Sequence, residues 1–536
     1  MKKVIFIALS CILAINFNIK ADDAAISKGI DFFEAGMYEP ARQFFKAQTA
    51  NGMAYYYLGE IAYAEGKTDS ASYYYDKGLA TDKPYSLCYV GKGKLMLKTN
   101  LKEAEATMQK VFVDKASKKD PAIYTAIGLA YAANKMNDKA KASFKQARDF
   151  NRNYAPVYIA EGDLSLTEEK LNEAANKYDM AAYVDKKNKL SRLKLADIYS
   201  QVNPEQAMVS INELLSLDPD YAPAYKQLGE LHFNNKQYEK AGEAYARYLS
   251  FGTGSITEYA RYATILYLNK EYRSSLAEAE KALVIDPDNT SMKRLSGYNL
   301  FEMEEYERAL SVMNTFMNDS KSNFISSDYK YYARTLRKNK QDLLSIDYYQ
   351  KALEFEQTNK SDILQEISQA YESMKNHAMA ASFSEQFIEN TPTANAADYF
   401  NCGQQFYFAG KDIEIKADAD SLEQIRLYQK ADHFFAIVAE RSPSHYLGNF
   451  WRARVQYALD PDVIQGLAKP YYEQAVAILE ASPSKNSNDL LECYRYLAYY
   501  FLEEDKETSI SYWNKVLAIE PTNQMALNAL KLLKKK

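Results

Sequence analysis

Four histidines, His232, His377, His433 and His445, are the side chains of this 536-residue chain best suited to proton transfer or metal binding near neutral pH. None stands in a His-Glu-x-x-His run or another ligand spacing, so metal-assisted hydrolysis is not indicated. Gly66-Lys67-Thr68 ends like a phosphate-binding loop, but the loop's earlier glycine would fall where Ile61 stands, and the three residues read as a turn between helices. Gly91-Lys92-Gly93 begins like a dinucleotide fingerprint, yet Met96 takes the place of the third glycine and no strand precedes it. Asp418, Asp420 and Glu423 could attract Ca²⁺, but the segment lacks the glycine and the spacing of an EF-hand and reads as a solvated insertion. Beyond the N-terminal run that holds Cys11, the cysteines are Cys88, Cys402 and Cys493. They are far apart and in no Cys-x-x-Cys pair, which indicates neither a zinc site nor a disulfide framework. The expectation is therefore no catalytic residue, no metal and no cofactor.

Composition narrows the class further. Glycine and proline number only 19 and 14, roughly half the usual share, which argues against turn-rich β architectures. Lys plus Arg is 66 against 71 Asp plus Glu. A nucleic-acid binder needs a basic excess to neutralise phosphates, and this chain has none, so nucleic acid is excluded as a partner. Tyrosine is the outlier, with 46 residues against 2 tryptophans. Most fall at spacings that pack a core, while Tyr267, Tyr298 and Tyr499 fall on the opposite side of their helices and could face a binding surface.

The elements that must position these residues follow from a period. Tyr124-x-x-Ile127-Gly128-x-x-Tyr131 is followed by Ala140-x-x-x-Phe144-x-x-Ala147, and Gly162 with Ala174, Tyr178 and Ala181 repeats it 34 residues on. Tyr225, Leu228, Gly229 and His232, then Ala241, Tyr245 and Tyr248, repeat it again; His232 stands where Tyr131 stands and is read as packing. Further copies run from Gly29, Ala41 and Phe45 through Gly59, Ala71 and Tyr75 to Ala333, Tyr349 and Ala352, with Asp218-Pro219, Asp286-Pro287 and Glu520-Pro521 closing units. Between Lys92 and Val111 the pattern is degenerate, although Ala104 and Met108 can be placed. The spacing predicts helix pairs in which Gly128 leaves room for Ala140 and large residues fill the gaps around that contact.

This pattern closely resembles the tetratricopeptide repeat, a 34-residue unit of two antiparallel helices. The resemblance covers nearly all of residues 22–536 and implies an all-α fold: a right-handed α-solenoid of about 14 helix pairs, closed by a capping helix over Met525–Leu533. Residues 22–395 keep the period. Residues 396–536 depart from it, with an inter-helix insertion near 411–426 between Gly403 and Ala431.

Residues 1–21 have the layout of a signal peptide: Lys2 and Lys3, an apolar run from Val4 to Phe17, and the small residue Ala21. The run is too short to span a bilayer, which takes about 20 residues. The mature chain is expected to begin near Asp22 without a membrane span, in the periplasm or peripheral to the outer membrane.

In the resembled family, first helices line a concave groove that holds peptides or helices. Projected onto this chain, Arg294, Tyr298 and Phe301 face that groove in one unit, and Lys330, Arg334 and Arg337 in the next, as a basic patch with aromatic flanks. The family's Lys-Asn carboxylate clamp is not reproduced, since Thr125 and Leu129, or Lys226 and Glu230, hold the aligned positions. The reading is a non-catalytic interaction scaffold of a bacterial cell envelope, its protein partners drawn from secretion, assembly or transport components. An enzyme on a helical platform would need a compact catalytic domain, with room only near Lys411. A carbohydrate- or nutrient-capture protein would add a large non-repeat domain, which is not evident.

Overall fold

A computed structural model describes residues 24–533 except 49, 253, 320, 357–359, 415–417 and 482–485. The signal-peptide reading of residues 1–21 and the final lysines, Lys534 to Lys536, lie outside the described residues. The described residues form α-helices joined by short turns, with one 3₁₀ turn at Ser117–Lys119 and no strand. The chain divides into two compact units within one helix, between Asn299 and Leu300.

The first unit opens with α1 (24–34) and α2 (Tyr38–Lys46), then pairs α3 (Gly52–Ala64) with α4 (Thr68–Leu79) and α5 (Leu87–Met96) with α6 (Leu101–Gln109). It continues with α7 (Pro121–Ala133) and α8 (Asn137–Phe150), α9 (Ala155–Thr167) and α10 (Leu171–Val184), and α11 (Lys189–Val202) and α12 (Pro204–Leu217). The pairs α13 (Ala222–Asn234) with α14 (Tyr238–Leu249) and α15 (Ile256–Leu268) with α16 (Tyr272–Ile285) complete it, and α17 (Thr290–Glu302) carries the division.

The second unit contains α18 (Tyr306–Met317), α19 (Ser326–Lys338) with α20 (Asp342–Phe355), and α21 (Ser361–Ser373) with α22 (His377–Glu389). Next come α23 (Ala396–Lys411) with α24 (Asp418–Arg441), α25 (Leu447–Leu459) with α26 (Lys469–Ala481), and α27 (Ser487–Glu504) with α28 (Lys506–Ile519). The last helix, α29 (Gln524–Leu533), buries Ala526 and Leu530 against the final pair, as the expected cap should. Each unit is a stack of helix hairpins, the α-solenoid that the period predicts.

The small residues of the period are explained by packing, with one correction. Gly128 does not chiefly make room for Ala140: a methyl group added to it would lie 2.4 Å from the ring of Phe144. Gly59 meets Tyr75, Gly162 meets Tyr178, Gly229 meets Tyr245 and Gly403 meets Phe435 in the same way. A ring of the second helix lies flat on the first helix where a side chain is missing. The position held by Ala140 touches the facing backbone: Ser275, which occupies it in another unit, donates to the Ala263 carbonyl at 2.7 Å.

Hairpin turns repeat just as strictly. The chain turns through a left-handed residue at Gly36, Gly66, Lys135, Glu169, Lys236, Lys270, Glu304, Lys340 and Lys375. At Lys135 two backbone bonds close the helix end, Lys135 N–H to the Ala132 carbonyl and Met136 N–H to the Tyr131 carbonyl. Gly66 belongs to this set, which is why its phosphate-loop resemblance stops at three residues. A lysine in that conformation carries strain that glycine does not. Lys135→Gly is therefore expected to stabilise the first unit by about 0.5–1 kcal/mol, read as a raised midpoint in urea.

The insertion near 411–426 is helix over most of its length. It lengthens the α23–α24 hairpin: Gln424 Nε2 donates to the Gly410 carbonyl at 2.9 Å, and the Tyr428 ring covers Gly410. Asp418 and Asp420 sit in the first turn of α24, where carboxylates complement the helix dipole, and Glu423 pairs with Arg426. Among the described residues no cluster of acids, histidines or cysteines is arranged to hold a metal ion. All three cysteines beyond the N-terminal run are buried and unbridged, and burial pushes the Cys88 and Cys402 thiols up to about 12.

Candidate partner-binding groove

First helices of neighbouring hairpins are tied by a recurring three-residue clasp. In three hairpins of the first unit the residue after the small position is acidic: Glu60, Asp163 and Glu230. The tyrosine of the same hairpin's second helix donates to it, Tyr75 to Glu60 at 2.7 Å, Tyr178 to Asp163 at 2.6 Å, and Tyr245 to Glu230. The next first helix adds a cation, Lys94 to Glu60 at 2.6 Å, Lys194 to Asp163 at 2.9 Å and Arg261 to Glu230 at 3.0 Å. Burial works against the Glu230 carboxylate, yet the hydrogen bonds from Arg261 and Tyr245 outweigh it and hold its pKa below the usual range.

In the second unit the clasp recurs with its charges exchanged. Arg334 of α19 forks onto Glu366 of α21 at 2.9 and 3.0 Å, and Tyr349 of α20 donates to the same carboxylate at 2.5 Å. Arg454 of α25 forks onto Glu492 of α27 at 2.8 and 2.7 Å, with Tyr472 donating at 3.0 Å. Opposite charges 31 to 38 residues apart, on the first helices of neighbouring hairpins, carry this signal, which a search within single repeats misses.

The clasp changes the standing of the predicted basic patch. Arg294 and Tyr298 lie in the first unit; Phe301, Lys330, Arg334 and Arg337 lie in the second. Tyr298 is buried, its ring 6.3 Å from that of Tyr267, so it offers little surface to a partner. Phe301 packs against the rings of Tyr306 and Tyr331. Lys330, Arg334 and Arg337 do share α19, but Arg334 spends its charge on Glu366, and Arg337 donates to Gln369 at 3.3 Å.

A groove with open aromatic surface lies instead in the last third of the chain. A cavity of about 1260 Å³ is walled by α25, α27 and α29 through Tyr457, Tyr496, Tyr499, Met525 and Leu532, with Trp513 of α28 also lining it. Tyr457–Tyr496 and Tyr496–Tyr472 ring contacts, at 5.7 and 4.8 Å, hold the wall rigid. Tyr499 is 56% exposed and Leu532 70%, although both are large and apolar. Tyr499, which helical spacing places away from the core side of α27, lines this groove, and Met525 and Leu532 stand on the terminal helix beside its buried residues, Ala526 and Leu530. The indole Nε1 of Trp513 and Nε of Arg495, both buried beside this cavity, have no hydrogen-bond acceptor among the described residues.

Residues 121–154, the α7–α8 hairpin and its flanking turns, match the family model of the tetratricopeptide repeat. The C-terminal part of a tetratricopeptide-repeat-containing protein from Cytophaga hutchinsonii is 30% identical, over 51% of this chain and 99% of that one, with a TM-score of 0.40. The chain belongs to the tetratricopeptide repeat family. A tetratricopeptide repeat protein from Parabacteroides merdae is 17% identical over 47% of this chain and 98% of that one, with a TM-score of 0.30. YrrB, described as a tetratricopeptide repeat protein with an unusual peptide-binding site, is 18% identical over 34% of this chain and 93% of its own, with a TM-score of 0.31. No curated protein matches. Tetratricopeptide repeat proteins are mainly interaction scaffolds without catalytic activity.

Proposed function

We propose that this tetratricopeptide repeat protein is a non-catalytic scaffold of a bacterial cell envelope that seats a partner polypeptide in the α25–α27–α29 groove. The open aromatic wall carries this reading, because large exposed tyrosines beside leucine and methionine are what a bound side chain would cover. The signal-peptide layout of residues 1–21 supports the envelope as the setting, and secretion, assembly or transport components are the partner class we favour.

The mature chain and its Tyr457→Ala/Tyr499→Ala variant, used to capture partners from envelope extract, test the groove. Both side chains are exposed, so folding should survive, and circular dichroism checks it. The variant is expected to bind the captured partner at least about tenfold more weakly. Equal affinity in the two proteins would place the binding surface elsewhere.

A further inference from the structure

The first hairpin of the first unit does not only stack on its sequence neighbour. Asp31 of α1 accepts from Lys189 Nζ, at the start of α11, at 2.7 Å across 158 residues of chain. The same ammonium reaches Asp218, the residue that ends α12, at 3.1 Å, and lies 4.6 Å over the Tyr221 ring. Ala35, at the hairpin tip, packs into the cluster of Leu193, Leu214 and Tyr221. Met37, the next tip residue but one, takes the Tyr248 hydroxyl on its sulfur at 3.8 Å, a contact across 211 residues. Behind the tip, Phe32 and Phe45 belong to the same apolar cluster as Ala222, Tyr245 and Tyr248. The tip thus rests on the ends of α11 to α14, and the first unit returns upon itself.

From this geometry we infer that the α1–α2 hairpin is a clasp which closes the first unit, and which leaves its seat when the Asp31–Lys189–Asp218 contact is broken. The polar part of the joint is small, one shared ammonium and one cation–π contact, while its apolar part joins Phe32, Ala35, Met37 and Phe45 to the seat. A terminal hairpin opens at less than the cost of global unfolding, because only its own seat must part. Off its seat the hairpin holds only its own pairing and its stack on α3, and two short helices so held open their hydrogen bonds more often than when seated. On the scaffold reading proposed above, a closed first unit withholds the surface around Lys189, Leu193 and Tyr221 from a partner until the clasp opens.

A titratable group sits at the joint. Glu34 is an exposed residue with charged and aromatic neighbours on several sides. It faces Asp31 on its own helix, Tyr57 on α3, Tyr154 and Asp163 at α9, Lys189 and Lys194 on α11, and Tyr221 before α13. Desolvation, aided by the charge of Asp31, raises its pKa to about 7. The closed form therefore holds a proton that the open form gives up near the usual carboxyl value of 4.5. Closure is fully supported below that value and weakens as pH rises toward 7, where the Glu34 carboxyl ionises.

Hydrogen exchange of the mature protein, with small-angle scattering on the same samples, tests the clasp. In Lys189→Glu, three carboxylates meet at the joint. Residues 24–46 should lose protection by about tenfold or more and the radius of gyration should rise, while α19 to α29 keep their protection. Asp31→Lys combined with Lys189→Glu should restore both readings. In the wild type, protection of 24–46, corrected for intrinsic exchange, should fall between pH 5 and pH 8 by about tenfold, and Glu34→Gln should flatten that dependence. Unchanged protection and dimensions in folded Lys189→Glu would overturn the clasp. A pH dependence that survives in Glu34→Gln would overturn the role of Glu34. None of these readings involves a partner, so a failed groove experiment leaves them standing.

Discussion

Glu60→Leu is expected to destabilise the first unit by about 3–5 kcal/mol, the range for removing one partner of a buried ion pair. Lys94 is 5% exposed, and its ammonium lies 2.6 Å from Glu60 and 4.1 Å above the Tyr63 ring. Without Glu60 that charge is left with the faces of the Tyr63 and Tyr75 rings, and the Tyr75 hydroxyl loses its acceptor. Removing both charges, in Glu60→Leu/Lys94→Met, should recover most of the loss, because two apolar side chains need neither hydration nor each other. Both tryptophans, Trp451 and Trp513, lie in the second unit, so fluorescence reports the wrong place. Native-state hydrogen exchange of α3 to α6 reads the effect directly. A loss under about 1 kcal/mol would mean that water reaches Lys94 and that the clasp is an ordinary surface pair.

The helix hairpins were legible because their determinants are local. Gly128 and Phe144 are 16 residues apart, the turn at Lys135 lies between them, and the pattern recurs often enough to outweigh any degenerate copy. The segment from Asp418 to Arg426 is solvated, as its composition indicates, but composition leaves its conformation open: acids and polar residues suit a loop and equally the exposed face of an extended helix. What decides is Tyr428 covering Gly410, a contact that no local pattern contains. The pairing of Arg334 was hidden for a reason of distance. Arg334 looks available along α19, while the carboxylate that takes its charge stands 32 residues on. Tyr499 could be placed in a groove from helical spacing alone, whereas Met525 and Leu532 look like core until one sees that only Ala526 and Leu530 of α29 are covered. The return of the first hairpin onto α11 to α14 depends on the accumulated rotation of the four hairpins between them, α3–α4 to α9–α10. No residue type announces it.

Gly128→Leu tests the packing rule from which the hairpin fold was read, and it is expected to cost about 1–3 kcal/mol by overpacking. Even a methyl group at that position would lie 2.4 Å from the Phe144 ring, and Phe144 is fully buried, so the ring has no solvent to retreat into. Either α7 and α8 separate or the ring leaves its rotamer. Both responses stay near the site, because each hairpin touches mainly its neighbours. Hydrogen-exchange protection should fall in α7 and α8, less in α5 and α9, and not in α19 to α29, while thermal unfolding broadens or splits. Phe144→Ala introduced beside Gly128→Leu should return part of the loss, since the leucine then occupies volume that the ring has vacated. Undiminished protection of α7 and α8 in Gly128→Leu would show that the ring does not rest on the glycine. The reading of Gly59, Gly162, Gly229 and Gly403 as seats for the rings that cover them would fall with it.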